Sequence, residues 1–517
     1  MKLFDLVENI DIQESNITTN YQIDGMTADS REVKKGFAFI CQIGSRDDGH
    51  KYIGEAINNG AVLVILQYKP IDFDNETPYI LVSNTREAEA KLWMEWYGKP
   101  ASGIKIIGIT GTNGKTSTSY MVKAILDRAD FKTALFGTIK SIINGKEFES
   151  KLTTSDPDEL ARLFAIARDE GVEYAVMEVS SHALELEKTA GIDSFEIGIF
   201  TNLTQDHLDF HGTMENYRNA KAKLFKKCKI GILNSDDEVS WIMLKSASKE
   251  MKSYFYGKAK HADFYADNIK YLGVDGIEYD FCVGGAESFD DVDYSFMVKS
   301  PTVGEFYVYN TMAAAACGII LGIDGEVIAD ALSDVKIRGR MERIEIDAPY
   351  AVFIDYAHTP DALESALKAI RAFSGSGKII AVFGCGGDRD KSKRPEMGRI
   401  AIQNADFSVV TSDNSRSEEP TAIINDIVTG MCADNCDGKS RKGFFAKYIE
   451  QYKIVVDRRK AIEFAMNMAQ DGDIILLAGK GHEEYIDEKG KITHFSERDI
   501  VREIIYESKH HGDYKSD

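Results

Sequence analysis

The stretch IKIIGITGTNGKTSTSY, Ile104 to Tyr120, decides how this 517-residue chain is read. Its β-branched run Ile104–Ile109 predicts a buried strand, and Gly108, Gly111 and Gly114 turn from it into a helix that begins Lys-Thr-Ser. Glycines at the turn let backbone N–H groups close on an anion that a Cβ would hold off, and the new helix adds its positive dipole end. The turn Gly111, Thr112, Asn113, Gly114, Lys115, Thr116 and Ser117 is therefore a candidate phosphate cradle. In it Lys115 would reach the β- and γ-phosphates of a nucleotide and the Thr116 hydroxyl would face Mg²⁺. The loop departs from the standard nucleotide pattern, because Ile109 stands five before Gly114 and the outer glycine sits at Gly108. A generic ATPase or GTPase label does not follow from it.

At this length about three domains are expected, and 44% hydrophobic with 28% charged residues is an ordinary globular composition. The net charge of -21 would repel a polyanionic backbone, which disfavours a nucleic-acid partner. The seven cysteines are scattered, only Cys432 and Cys436 being close, a pattern of reduced thiols in a cytoplasm. MKLFDLVENI lacks the basic and then apolar run of a signal peptide, and the longest apolar stretch, Met312 to Ile323, is too short for a bilayer. A soluble cytoplasmic protein without a membrane partner is expected.

From Met1 to about Tyr97, strand-like runs (GFAFI, AVLVIL) alternate with helical patterns at Tyr52–Asn59 and Arg86–Tyr97, predicting a small α/β domain over residues 1–99. A second segment follows over 100–343. Its strand YAVMEVSSH, Tyr174–His182, carries Glu178, and the strand EIGIF runs into TNLTQDHLDFHGTMENYRNAKAKLF, which places His207 at the same sheet edge as the cradle. Carboxylates with one imidazole suit Mg²⁺ better than zinc. In the next helix Tyr217, Lys221, Leu224 and Phe225 form one apolar stripe, so Lys221 points inward. Two readings stay open for Lys221. One is a lysine snorkelling over the apolar face; the other is a neutral amine able to take up CO₂ as a carbamate, an anionic metal ligand. GEFYVYNTMAAAACGIILGI, Gly304–Ile323, reads as a strand end followed by an alanine-rich helix, with Asn310 either as N-cap or as an amide that reads adenine. The region Tyr254–Val298 reads as a β-rich insertion. A third segment, 344–517, sends Asp355 and His358, the Arg389 cluster, Asp413–Arg416 and Gly479–Glu483 from successive strand ends, as in a doubly wound domain with a ligand crevice. The tail ESKHHGDYKSD is expected to fray.

These strings occur together and in order. GTNGKTST, EVSSHAL, TNLTQDHLDFHGTMENY with AKAKLF, GRMERIE, DYAHTPDAL, GCGGDRDKSKRP, DNSRSEEP and GKGHE resemble the Mur ligases over nearly the whole chain. That resemblance implies an α/β chain of three domains: a uridine-nucleotide domain, a central P-loop ATPase-like domain and a Rossmann-like third domain. It implies an ATP-dependent amide ligase of peptidoglycan precursor synthesis, working through an acyl phosphate with two Mg²⁺ ions and as a monomer. The strings look most like the member that adds meso-diaminopimelate to UDP-MurNAc-L-Ala-D-Glu, the form that adds L-lysine being the alternative.

The resemblance assigns Ser30 to the uridine nucleotide, and Thr153, Thr154, Ser155, Ser180 and Lys188 to the muramoyl dipeptide. Lys115, Lys221, His207 and Glu178 become catalytic; Thr116, Glu178, His207 and a carbamylated Lys221 become metal ligands. Asn310, Arg340, Asp355 and His358 join the cradle as nucleotide contacts, while Arg389, Asp413, Asn414, Arg416, Gly479 and Glu483 take the incoming amino acid. Arg416 favours diaminopimelate, because its planar fork fits the second carboxylate that lysine lacks. A surface arginine paired with Glu418 or Glu419 is the bland alternative. The chain departs from the family at Tyr307, where an Asn is common, at Lys188, where Arg is common, and at Ser415, where Pro is common. The rivals are a folylpolyglutamate synthase or another glutamate ligase on this scaffold, and a catalytically silent nucleotide-binding regulator. The muramoyl and DNSR strings weigh against the first, and intact Lys115, Glu178, His207 and Lys221 against the second.

Overall fold

The computed structural model describes residues 1–44, 47–284, 294–433 and 451–510. Cys436, residues 45 and 46, part of the expected β-rich insertion and the last seven residues of the tail lie outside the described residues.

Three sheets organise the chain. The first orders its strands Ile12–Ser15, Tyr79–Val82, Ala61–Leu66, Phe37–Ile40 and Gly25–Thr27, parallel except for the first. The second has eleven strands with Lys105–Thr110 near its middle, flanked in parallel by Phe195–Phe200 and Tyr174–Glu178. Antiparallel strands close both ends, including Ile277–Val283 and Tyr294–Ser300 of the expected β-rich region. The third runs Glu342–Ile344, Ala351–Asp355, Ile474–Ala478, Ile379–Phe383, Phe407–Val410 and Tyr452–Ile454, and only its first strand is antiparallel. The expected break after residue 343 therefore cuts a strand, since Glu342 already pairs with Ile354. Residue 342 opens the third sheet. The turn before it is made by Gly339 and Met341, whose positive φ values of 66° and 45° end the preceding path.

The doubly wound form of the third sheet follows from its side-chain period. Ile379, Ala381 and Phe383 face one hydrophobic cluster with the helices Pro360–Arg371 and Lys393–Asn404. Ile380 and Val382 face another with Arg458–Met468 and Glu497–His510. A strand buried on both faces must be apolar at every position, and Ile379–Phe383 is fully buried throughout. Helix starts obey local chemistry: Thr359 caps Pro360–Arg371 by accepting from the Ala362 N–H, with proline at the first position.

Two expected elements differ. The strand at Tyr174 stops at Glu178, and Ser180 caps a short helix, Ser181–Glu185, by accepting from the Ala183 N–H. Gly304–Tyr309 is not a strand end, because the helix Glu305–Ile320 begins at Glu305 with Gly304 as its cap residue. Asn310 is thus in mid-helix and buried, which excludes the N-cap role. Among the described residues no helix is long and apolar enough to cross a membrane.

A fully buried ion pair ties the strand ends of the third sheet to the helices behind them. Arg458 Nε donates to Glu497 Oε1 at 2.8 Å, and its Nη groups donate to the Ser412 and Ala478 carbonyls at 3.2 and 2.7 Å. Removing the arginine alone would strand a buried carboxylate. Arg458→Ala should destabilise the protein by about 3 to 5 kcal/mol, whereas the double change Arg458→Met with Glu497→Leu should recover most of that loss; thermal unfolding of the two variants checks it.

Candidate functional site

The cradle forms as its glycines require. Gly111 and Gly114 have φ of 152° and 84°, and a Cβ on Gly111 would come within 1.9 Å of Thr201 Oγ1. The neighbouring strand's Thr201 can approach only because that atom is missing, and its hydroxyl donates to Asn113 O at 2.6 Å. Lys115 turns back over the loop, donating to Gly111 O at 2.9 Å and Thr112 O at 2.8 Å.

Lys221 arrives at the same oxygen. Its Nζ donates to Gly111 O at 2.8 Å and lies 4.5 Å from the centre of the Tyr217 ring, with the residue only 1% exposed. Snorkelling is excluded, because the amine faces the interior. Burial first, and then the Lys115 charge, drive the Lys221 amine well below the ordinary lysine value. Burial likewise lowers Lys115, with Glu178 and Asp206 pulling the other way. Two ammonium groups on one carbonyl oxygen repel at short range in a poorly screened interior. The favourable arrangement keeps one of them uncharged or converts it to an anion.

Glu178 ends its strand fully buried and accepts three hydrogen bonds: from Thr116 Oγ1 at 2.9 Å, Thr138 Oγ1 at 2.8 Å and the Thr138 N–H at 2.9 Å. A Cβ on Gly137 would meet Glu178 Oε1 at 2.3 Å, so that glycine makes the room. Arg340 donates to the Thr116 hydroxyl at 3.1 Å and stacks 4.8 Å from the centre of the Tyr356 ring. It thus joins the central and third domains, as does Asp361, whose carboxylate accepts from Asn113 at 2.8 Å and Thr204 at 3.2 Å. His207 has φ 53° and an imidazole partly open to the cavity, its proton affinity lowered by desolvation against the pull of Asp206. It is a neutral ring, as a metal ligand must be.

Beyond the cradle a cavity of about 1240 Å³ opens between the central and third domains. On one side lie Thr153, Thr154, Ser180, Lys188 and His207; on the other lie Arg389, Asp413, Asn414, Arg416, Gly479 and Glu483, with His358 between. Thr154 bridges the walls of its side, donating to Glu178 O at 2.9 Å and accepting from the Ser180 N–H at 3.0 Å. Lys188 is held by Asp156 at 2.7 Å. Burial raises Asp355 to about 6 against the pull of Arg340, and its Oδ2 accepts from the Met341 N–H at 2.6 Å. His358 is lowered to about 4 by burial and by Lys393. Asn310 lies under the cradle, its Oδ1 within 2.4 Å of where a Gly114 Cβ would stand. Ser155 does not line the cavity, and Ser30 opens the short helix Ser30–Glu32 of the first domain, donating to Glu55 at 2.6 Å.

The side chains that the sequence did not single out are those that hold the others. Lys480 is fully buried, donating to Asn414 Oδ1 at 3.2 Å and Glu483 Oε2 at 3.4 Å, with Asp413 at 3.7 Å. Burial acts to raise Asp413, but Lys480 and Arg458 carry it below the ordinary value, while burial raises Glu483. Its position between two glycines of GKGHE was the available signal. Thr138 carried none, since only the fold brings it to Glu178. Arg416 does not pair with Glu418 or Glu419: those carboxylates are taken by Arg394 with Lys391 and by Lys489.

Three family models cover the chain: the Mur ligase family catalytic domain over residues 22–94, the Mur ligase middle domain over 109–318 and the Mur ligase glutamate ligase domain over 339–481. The UDP-N-acetylmuramoyl-L-alanyl-D-glutamate–2,6-diaminopimelate ligase of Clostridium perfringens is 42% identical over 98% of this chain and 99% of its own. The enzyme of the same name from Syntrophomonas wolfei is 41% identical over 98% and 99%. A solved structure bearing that name superposes with a TM-score of 0.67 at 31% identity, covering 99% of this chain and 100% of the other. The chain belongs to the Mur ligase family and has its three-domain α/β fold.

A lysine whose native pKa lies below its unfolded value binds fewer protons when folded, so it makes stability rise with pH in the window below 10.5. In CO₂-free buffer without ligands, Lys221→Met should therefore abolish that part of the rise and be the more stable form at neutral pH. Denaturant midpoints of both proteins between pH 6 and 10 check the sign.

Proposed function

We propose that this chain is the ATP-dependent, ADP-forming ligase that joins meso-diaminopimelate to the D-glutamate γ-carboxylate of UDP-MurNAc-L-Ala-D-Glu in peptidoglycan precursor synthesis. The observation that carries this reading is the single cavity whose two walls hold the acyl-side and amine-side residues facing one another next to the cradle. We assign uridine-nucleotide binding to residues 1–99, ATP to 100–341 and the amino acid to 342–517. The chain is taken to act as a monomer, as the family resemblance implies, in the cytoplasm where ATP is available.

The γ-phosphoryl group of ATP passes to a γ-carboxylate oxygen, giving an acyl phosphate and ADP. The amine then attacks the acyl carbon, the C–N bond forms, the C–O bond to phosphate breaks, and inorganic phosphate leaves with the amine proton lost to solvent. Lys115 supplies positive charge at the transferring group from a fixed position. When bound, two Mg²⁺ ions would screen the converging phosphate and carboxylate oxygens. Thr116, Glu178, His207 and a carbamate on Lys221 would hold them. A carbamate on Lys221 would add an anionic oxygen pair to the donors Thr116, Glu178 and His207. A neutral amine gains CO₂ and loses a proton in forming it, and this removes the repulsion between Lys115 and Lys221. Asp413 and Glu483 face the ammonium ends of the amino acid, and Arg416 its distal carboxylate.

Lys221→Ala should lower ADP release on the order of 10²- to 10³-fold with the fold retained, and short-chain carboxylates should restore part of it by taking the place of the carbamate. The decisive experiment is an amino-acid panel with the UDP-muramoyl dipeptide, reading ADP and product mass. meso-Diaminopimelate should be used far better than L-lysine. Arg416→Ala should erase that preference by raising the KM for diaminopimelate, a loss of about 2 to 5 kcal/mol for a desolvated charged contact. Equal turnover of L-lysine by the unmodified enzyme would overturn the choice of amino acid.

A further inference from the structure

The hairpin Tyr485–Glu488 with Lys491–His494 forms a two-stranded sheet of its own, apart from the six-stranded one. Its second strand is exposed at every position, Ile492 by 69%. A lone hairpin of this kind is marginal in water. Its firm attachment is to the loop Asp413–Arg416. The Arg416 N–H donates to Asp487 O at 3.0 Å, the Lys489 N–H donates to Arg416 O at 2.6 Å, and the Asp487 N–H donates to Asn414 Oδ1 at 3.0 Å. Arg416 and Glu488 pair as a parallel bridge, and Asp487 Oδ1 closes the hairpin turn by accepting from the Gly490 N–H at 3.1 Å.

Arg416 needs such support. Its φ is 49°, a left-handed conformation that disfavours a residue with a side chain. The loop's own bonds fix its neighbours: Gly387 N–H donates to Asn414 O at 2.8 Å and Glu418 N–H to Ser415 O at 3.0 Å. Both backbone groups of Arg416 go to the hairpin instead. In that conformation its Nη1 donates to Gly387 O at 2.6 Å, lying over Gly386 where a Cβ would come within 3.0 Å. No carboxylate among the described residues forms an ion pair with it, so the guanidinium stays available at the cavity wall. The Ser415 hydroxyl is buried without a hydrogen-bond partner, so nothing in the side chain of residue 415 stiffens this loop.

We propose that the hairpin is a specificity clamp: pairing with the backbone of Arg416 holds that residue in the one conformation that aims its guanidinium into the amino-acid end of the cavity. It supplies the stiffness that a proline at 415 would give. The inference rests on the reading of Arg416 as the grip on the distal carboxylate. Arg416 touches the substrate in that reading, and the hairpin acts through it as a positioning element.

The test uses the full chain with two variants, Glu488–Lys491 replaced by two glycines and the milder Asp487→Ala, each with and without Ser415→Pro. The Ser415 N–H donates no hydrogen bond among the described residues, so the proline removes none. Amide exchange of the peptide carrying Arg416 should quicken in both variants. The KM for meso-diaminopimelate should rise about tenfold, the scale of one hydrogen bond, with the KM values for ATP and UDP-muramoyl dipeptide within about twofold. Ser415→Pro should return part of the lost affinity. Unchanged exchange at Arg416, an unchanged KM for diaminopimelate, or all three KM values rising together would overturn the clamp, the last by making the hairpin a plain structural prop. Failure of the amino-acid reading is seen separately, as equal use of L-lysine by the unmodified enzyme.

Discussion

One carbonyl oxygen, that of Gly111, receives two lysine amines, and most of the site is arranged around the consequence. Lys115 reaches it from the helix that follows the loop, and Lys221 from a helix more than a hundred residues later. In water the two charges would be screened; here Lys221 is buried and Lys115 partly so, and desolvation is the leading cause of the fall in each lysine's proton affinity. The approach itself depends on a missing atom, because a Cβ at Gly111 would collide with Thr201. The glycine loop thus also receives a second amine in a dry place that disfavours its charge.

The second constraint is that the reacting groups come from different domains. Glu178, Thr116 and Thr154 belong to the central sheet edge, whereas Asp413, Asn414 and Glu483 leave the third sheet. A shared hydrophobic cluster and several polar side chains join the two. Asp361 accepts from Asn113 and Thr204, and Arg340 lies between the Thr116 hydroxyl and the Tyr356 ring. Tyr307 donates its hydroxyl to Arg340 O at 2.7 Å, which fastens the inter-domain turn. The cavity exists because these contacts set the two strand edges facing each other.

Much of this was legible in the chain. Strand ends followed by glycines and polar residues named the edges of both large sheets, since a buried parallel strand must be apolar along its length and can place chemistry only where it stops. The stripe Tyr217, Lys221, Leu224 and Phe225 placed the lysine inward, and all four are buried. The helical reach of GEFYVYN was not legible, because aromatic and β-branched residues favour strands locally and only packing against the helix Lys115–Arg128 decides otherwise.

The sequence by itself determined the cradle, the fold class, the family and the identity of the residues that could do the chemistry, because each is written in local pattern: period, glycine placement and residue type. The tertiary structure alone decided the partnerships. That Lys221 shares an acceptor with Lys115, that Lys480 gathers Asp413, Asn414 and Glu483, and that Arg416 is free of Glu418 and Glu419 follow from contacts between segments far apart in the chain. Such contacts depend on how three sheets pack, and no stretch of sequence encodes a distance to another.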